Sequence, residues 1–453
     1  MSSSQLLVIV LAAGMGTRMK SDVPKVLHDI GHKPMVGHVV DLGVGLGADA
    51  MAVVVGPQME AVKEVVTSHF KEAQLFEQTD RLGTAHAVLQ ARAAFANRSG
   101  HVLVLYGDTP LLTHDALGGL LDALDDGAAV GVLGFETEDP TGYGRLLIDE
   151  DGLLEAIREH KDASEEEREV RFCNSGVMGF HADMMETVLD AVDNNNANGE
   201  FYLTDAVEIA RGRGLKTVAC VCHEDEVLGV NDRVQLAEAE AIFQLKKRVE
   251  MQRNGVTLIA PETVYFSHDT SIGRDVVIEP HVVFGPGVLV EDGARVYGFS
   301  HLEAARVGKG AQVGPYARLR PGASIGDGAK IGNFVEVKKA EIEAGAKVNH
   351  LSYIGDAVVG TGANIGAGTI TCNYDGFFKH KTVIGADSFV GSNTSLIAPV
   401  TIGEGAYVGS SSVISEDVEA DSLAVTRPER RVLPGWAKRY RAKQKARKAA
   451  ENT

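Results

Sequence analysis

Tryptophan occurs once and cysteine four times in these 453 residues. Cys173, Cys220, Cys222 and Cys372 include no CxxC pair. That excludes a disulfide framework and the usual structural-zinc spacing, and it fits a reducing, cytoplasmic setting. Long apolar runs are missing as well. Leu6 to Ala13 is too short to span a bilayer, and no basic stretch precedes it as in a cleavable leader, so no membrane span is expected. Cations are in deficit: 44 Lys and Arg stand against 62 Asp and Glu, a net charge of −18. From Arg427 onward there are ten Lys/Arg and two Asp/Glu, a local +8 that leaves −26 on residues 1–426. So acidic a body excludes nucleic acid as its partner. The tail suits an anion or a membrane surface by charge, but beyond Trp436 a solvated, partly disordered segment is expected.

Glycine, by contrast, is abundant, with 51 residues, and much of it follows a period of six. Large apolar residues recur at Ile384, Val390, Leu396, Ile402, Val408 and Ile414, with glycine next at 385, 391, 403 and 409. The same step runs through Ile272, Ile278, Phe284, Val290 and Val296, and again from Val307 through Val313, Leu319, Ile325 and Ile331 to Val337. Six matches neither the helical 3.6 nor the strand period of two. It is the pattern of a hexapeptide β-helix, in which three hexads make one triangular coil and the aliphatic residue points inward. Glycine is expected to supply turns needing positive φ. The period breaks around Tyr297–Ala305 and at Thr371–Val383, where a segment leaves the coil.

Upstream, apolar runs at Leu6–Leu11, Ala52–Val55 and His101–Tyr106 alternate with helical patterns at Val36–Leu46, Glu60–Phe70 and Thr84–Ala96. This alternation predicts a doubly wound, Rossmann-like α/β sheet whose ligand sits beyond the carboxyl ends of the strands. A charged helix is expected from Asn231 to Arg253, capped at Asn254-Gly255. The expected organisation is an α/β domain at 1–230, a linker helix at 231–255, the β-helix at 256–426 and a basic tail at 427–453.

Directly after the first strand comes LAAGMGTRMKSDVPKVLH. Gly14 and Gly16 let backbone N–H groups approach phosphate oxygens, and Arg18 and Lys25 bring neutralising charge. The run is neither a Walker loop nor a complete dinucleotide fingerprint. It resembles the signature of the sugar-nucleotide pyrophosphorylases. Leu82-Gly83-Thr84, Tyr106-Gly107-Asp108, Gly142-Tyr143-Gly144-Arg145, Glu159 with Asp162, Asn174-Ser175-Gly176 and Gly229-Val230-Asn231 fall at that family's spacing. With the β-helix behind them, nearly all of residues 5–430 resemble the bifunctional bacterial family that joins an N-acetylglucosamine-1-phosphate uridyltransferase to a glucosamine-1-phosphate acetyltransferase.

The resemblance implies an α/β nucleotidyltransferase domain followed by a left-handed parallel β-helix. It implies acetylation of glucosamine-1-phosphate by acetyl-CoA, then uridylyl transfer from UTP to give UDP-N-acetylglucosamine, a precursor of bacterial cell-wall sugars, and pyrophosphate. At the first site it places Leu11, Ala12, Ala13, Gly14, Tyr106 and Gly107 on the nucleotide, with Arg18 and Lys25 on the triphosphate. It places Gln78, Gly83 and Thr84 on uracil, Gly144, Glu159 and Asn174 on the amino sugar, and Asp108 and Asn231 on Mg2+. At the second site His350 is the general base, a role suited to imidazole. Arg320, Lys338 and Lys379 meet the sugar phosphate, and Tyr353 and Asn364 the sugar. Ala367, Asn373, Tyr374, Ser392, Ser410 and Arg427 line the acetyl-CoA groove. A homotrimer with shared acetyltransfer sites is implied too. Met15, Arg81 and Ser410 depart from the family pattern, where lysine, glutamine and alanine are common, and the first two are expected to raise the KM for nucleotide without abolishing activity. A coil serving only oligomerisation would leave His350, Lys338 and the Asn373-Tyr374 segment without a purpose.

Overall fold

The computed structural model describes residues 5–196, 198–427 and 431–451. Its contacts divide the chain into two units, residues 1–250 with 266–269, and residues 251–265 with 270–453.

The first unit is built on a nine-stranded sheet. Its main path runs Thr217–Cys222, Val130–Glu136, Phe172–His181, His101–Tyr106, Leu6–Ala12, Ala50–Val55, Gln74–Glu77. Strand residues alternate between two cores, as period two requires. Leu7, Ile9, Val102 and Val104 pack under the helices Thr84–Gln90 and Ala182–Leu189, while Val8, Val10, Leu103 and Leu105 pack under Met35–Gly45 and His114–Asp125. The central strands are parallel. Phe172–His181 is not: it pairs antiparallel with both neighbours, and its register slips between Asn174 and Met178. Such a bulge bends a strand locally, and this one brings Asn174 and Gly176 to the carboxyl edge where Tyr106 lies.

The helix Arg233–Arg253 carries Phe243 and Glu240 against Gly31. Gln244 is buried, and its side chain makes two bonds to the backbone of Phe266, at 2.7 and 2.8 Å.

The second unit is a left-handed parallel β-helix. Every hexad residue named above is buried except Ile272, which is half-buried. Val277 stands against Arg295, eighteen residues on, and Arg295 against Gln312, seventeen on. The break near Tyr297–Ala305 is therefore a coil one residue short, with His301–Leu302 still paired in place. The other break is a real excursion, in which Tyr374 bridges antiparallel to Lys379. Two faces merge into one fourteen-stranded sheet because Glu336–Ile342 and Tyr353–Val359 run round a corner.

Two expectations need correction. The glycines after the aliphatic positions do not serve positive φ. A Cβ on Gly385, Gly391 or Gly403 would come within 2.4–2.5 Å of a backbone nitrogen in the next coil. Positive φ falls two residues later, at Asp387, Asn393, Gly405 and Ser411. The tail is also more regular than expected: Trp436–Glu451 is an α-helix, with its described side chains exposed. Its alanines, lysines, arginines and glutamine are strong helix formers, and propensity outweighed charge repulsion.

Candidate active sites

At the carboxyl edge of the first sheet lies a cleft in two lobes, of about 300 and 500 Å3, that share Thr84, Tyr106 and Glu200. The smaller lobe is lined by Leu11, Ala12, Ala13, Gly14, Lys25, Gln78, Arg81, Gly83 and Asp108. Nothing comes within 4 Å of a Cβ placed on Gly14, so its missing side chain leaves space rather than serving packing. Gly16 differs. It has φ +62°, and a Cβ there would stand 2.5 Å from that of Lys25.

That close packing turns Lys25 inward. Its ammonium is paired with the Asp108 carboxylate and donates to Asn231 Oδ1 at 3.0 Å. Asn231 is held by Gln235 on its backbone nitrogen at 2.8 Å, and Gly107 donates to the Leu11 carbonyl at 2.9 Å. Arg18 is exposed and has no ion pair among the described residues. Gln78 is buried, its amide 3.3 Å from the Gly83 carbonyl and 3.2 Å from His86 Nδ1.

The larger lobe gathers Gly144, Glu159 and Asn174. Asn174 donates its N–H to the Gly144 carbonyl at 2.8 Å and accepts from Gly176 N at 2.9 Å. Burial pushes the Glu159 carboxyl above its usual range, partly opposed by the Thr204 hydroxyl at 3.4 Å. Burial also raises the Tyr106 phenol, with Asp108 and Glu159 adding to the effect. Gly176 is needed here: its φ is +89°, and a Cβ would press on the Tyr106 ring at 2.9 Å. Glu200, Tyr202, Lys161 and Asn198 share this lobe. Sequence reasoning missed them: Asn198, Glu200 and Tyr202 lie in a segment with neither periodicity nor a motif, and Lys161, though inside the Glu159–Asp162 stretch, was not singled out there.

On the β-helix the polar residues fall into separate groups. Arg320 donates to Glu336 at 2.7 Å. Lys379, then Arg320, crowd Lys338 and hold its ammonium below the usual lysine range. Tyr353 OH lies 3.5 Å from Asn373 Nδ2, which also donates to Asp356 at 2.5 Å. The excursion is pinned by Asp375, which accepts from Phe378 N, His380 and Phe377 N; these bonds hold its carboxyl at about 2.

His350 sits at a different corner, with Nδ1 2.7 Å from Asn333 Oδ1. An amide oxygen only accepts, so Nδ1 carries the hydrogen, which in the neutral ring leaves the lone pair on Nε2. Among the described residues no hydrogen bond joins His350 to Arg320, Lys338, Tyr353 or Lys379. The same corner continues on successive coils through Ala367, Ser392 and Ser410: Asn393 N donates to Ala367 O at 2.7 Å and Ser411 N to Ser392 O at 2.8 Å. The Arg427 guanidinium lies over Gly409 on that line. Asn364 lies on a flat face, between Lys347 and Phe389. Among the described residues no three His, Cys, Asp or Glu side chains cluster as a metal site.

Residues 8–174 match the MobA-like NTP transferase domain, and residues 304–339 and 381–416 match the bacterial transferase hexapeptide repeat. The bifunctional protein GlmU of Azorhizobium caulinodans is 58% identical over 442 residues, and that of Xanthobacter autotrophicus 56%, each match covering 98% of both chains. The GlmU of Paramagnetospirillum magneticum is 55% identical over the full length of both chains. The chain belongs to the GlmU family. As a member it is a bifunctional transferase, an acetyltransferase and a uridyltransferase that together make UDP-N-acetylglucosamine. No helix among the described residues is long and apolar enough to cross a membrane.

Proposed function

We propose that uridylyl transfer is carried by the cleft of residues 1–230 and acetyl transfer by the β-helix of residues 256–426, with 231–255 connecting them and 427–453 as a basic tail. The enzyme works in the cytoplasm. The observation that carries the first assignment is the meeting of Lys25, Asp108 and Asn231 at the edge of the sheet. One carboxylate and one amide oxygen are hard donors of the kind Mg2+ accepts when substrate phosphates complete its shell. Asp108 and Asn231 would hold Mg2+, which supplies charge neutralisation on the phosphates. Lys25, released from its two partners, then faces the triphosphate together with Arg18. Gln78, Gly83 and Thr84 receive the uracil, and Gly144, Glu159 and Asn174 the amino sugar. A phosphate oxygen of N-acetylglucosamine-1-phosphate attacks the α-phosphorus of UTP. A new P–O bond forms, the bond to the bridging oxygen breaks, and pyrophosphate leaves with the electron pair. Positioning and charge neutralisation, not a protein nucleophile, supply the rate.

At the β-helix, Arg320, Lys338 and Lys379 form a cationic cluster matched to a phosphate dianion. Tyr353 and Asn364 hold the sugar. The amine of glucosamine-1-phosphate attacks the thioester carbon of acetyl-CoA; a C–N bond forms, the C–S bond breaks, and the thiolate of coenzyme A leaves. His350 Nε2 takes the amine proton. Ala367, Asn373, Tyr374, Ser392, Ser410 and Arg427 line the coenzyme groove. A homotrimer completes this site, because His350 and the cationic cluster occupy different corners of the β-helix.

The test separates the two halves. Asp108→Ala should abolish pyrophosphate release from UTP and N-acetylglucosamine-1-phosphate while coenzyme A release from acetyl-CoA and glucosamine-1-phosphate continues. His350→Ala should do the reverse. Loss of both reactions in either folded variant overturns the assignment.

A further inference from the structure

Among the described residues the most completely buried charged side chain is Arg145, at 1% exposure, and none of the roles above uses it. Its bonds go to carbonyl oxygens and an imidazole, with no carboxylate among its partners in the described residues. Nη1 donates to the Tyr143 carbonyl. Nε and Nη2 share the Arg168 carbonyl, at 3.4 and 3.2 Å, and Nη2 also reaches His160 Nδ1 at 3.3 Å. A guanidinium only donates, so that ring nitrogen accepts. Arg168 closes the ring of contacts, its Nε donating to the His160 carbonyl at 3.3 Å. One side chain thus ties the turn at 142–144, the segment at 159–160 and the end of the short helix Glu165–Arg168. Tyr143, Gly144, Glu159 and His160 line the larger lobe of the cleft, and Arg145 lies behind them. None of its three partners lines the smaller lobe. Burying a charge without a counter-ion is expensive, and packing alone would be served better by a methionine. The hairpin explains what the guanidinium is for. Its last paired residues are Arg145 and Arg158, so Gly144 and Glu159 lie one step beyond the ladder. They stay close all the same: a Cβ on Gly144 would stand 3.5 Å from Glu159 Oε1.

We propose that Arg145 is a positioning residue for uridylyl transfer, holding Gly144 and Glu159 at the separation the amino sugar needs. It touches no substrate and acts through Tyr143 and His160. The planar fork of donors fixes direction as well as distance, which a single ammonium does not. This rests on the reading of the larger lobe as the amino-sugar pocket. A site displaced by about 1 Å loses on the order of 100-fold, so a tie behind the wall matters as much as the wall itself.

The experiment measures KM for N-acetylglucosamine-1-phosphate and for UTP separately, well below the melting temperature of each variant of the full-length enzyme. Arg145→Met has no donor, and should raise KM for the sugar phosphate about 10- to 100-fold while KM for UTP stays within about twofold. Arg145→Lys keeps the charge without the fork and should recover part of the loss. His160→Ala removes one tie of three and should raise the same KM by a smaller factor. If the methionine variant does not fold, the other two carry the comparison. An unchanged KM for the sugar phosphate in variants of lowered Tm overturns the proposal, because the guanidinium then serves stability alone. Equal rises in both KM values overturn it as well, as a general loosening of the domain. Glu159→Ala, measured beside them, separates the proposal from the reading beneath it. If that variant also binds the sugar phosphate normally, the larger lobe is not the sugar pocket; if it alone binds weakly, only the role of Arg145 falls.

Discussion

At one corner of the β-helix three cations crowd together, and of these Arg320 is paired with Glu336. Arg320, Lys338 and Lys379 repel one another, and the depressed Lys338 ammonium records it. Lys338→Ala relieves that repulsion while removing a contact to the sugar phosphate. We therefore expect KM for glucosamine-1-phosphate to rise roughly tenfold, with no fall in Tm; steady-state kinetics beside a thermal melt checks both. Residue identities of this kind were legible in the sequence: His350, Lys338, Asp108 and Asn231 were singled out there. Their partners were not. Asn333 meets His350 because Lys330–Asn333 and Lys347–His350 are in register on adjacent coils, and Asp356 meets Asn373 across the base of the excursion. Both depend on how far one coil advances before the next begins. One coil is eighteen residues and the next seventeen, so sequence separation alone does not reveal which residues meet.

At the scale of elements, the helix Met35–Gly45 shows burial acting on a titratable group. His38 Nε2 donates to the Ile30 carbonyl, 2.8 Å away, and the ring packs edge-on against Phe243 and His268. Burial lowers its pKa to about 4, opposed by the bond to Ile30. The folded state thus prefers the neutral ring. Its contribution is fully present above about pH 6.5 and is lost as pH falls towards 4, a swing on the order of 3 kcal/mol. His38→Asn cannot ionise, so its Tm should fall less than that of the wild type between pH 7 and 4.5; parallel curves would show that His38 is not what titrates. The same scale holds the glycine correction. The hexad spacing of Gly385 and Gly391 was plain in the sequence. The reason for it is the backbone of the following coil, which is more than a dozen residues away in the chain.

For the whole molecule, the separation of His350 from Arg320, Lys338 and Lys379 leads to an oligomer prediction. Co-expressed His350→Ala and Arg320→Ala chains, each inactive in acetyl transfer alone, should regain part of the activity in mixed trimers, in which some sites draw both intact groups from different subunits. Light scattering should give three copies. A site built wholly within one chain would give no recovery, and the shared-site reading would fall.

Sequence alone determined the two architectures and the chemistry on offer, because periodicity decides which face is buried and residue type decides what can donate, accept or carry charge. Tertiary structure alone decided which of those groups meet. It turned Lys25 inward by packing it on Gly16, bulged the antiparallel strand so that Asn174 and Gly176 reach Tyr106, and laid Arg81 across Ala13 and Gly56. Except for Gly16 and Lys25, nine residues apart, these contacts join residues over a long stretch of sequence, and no local pattern of residues encodes the closeness of approach.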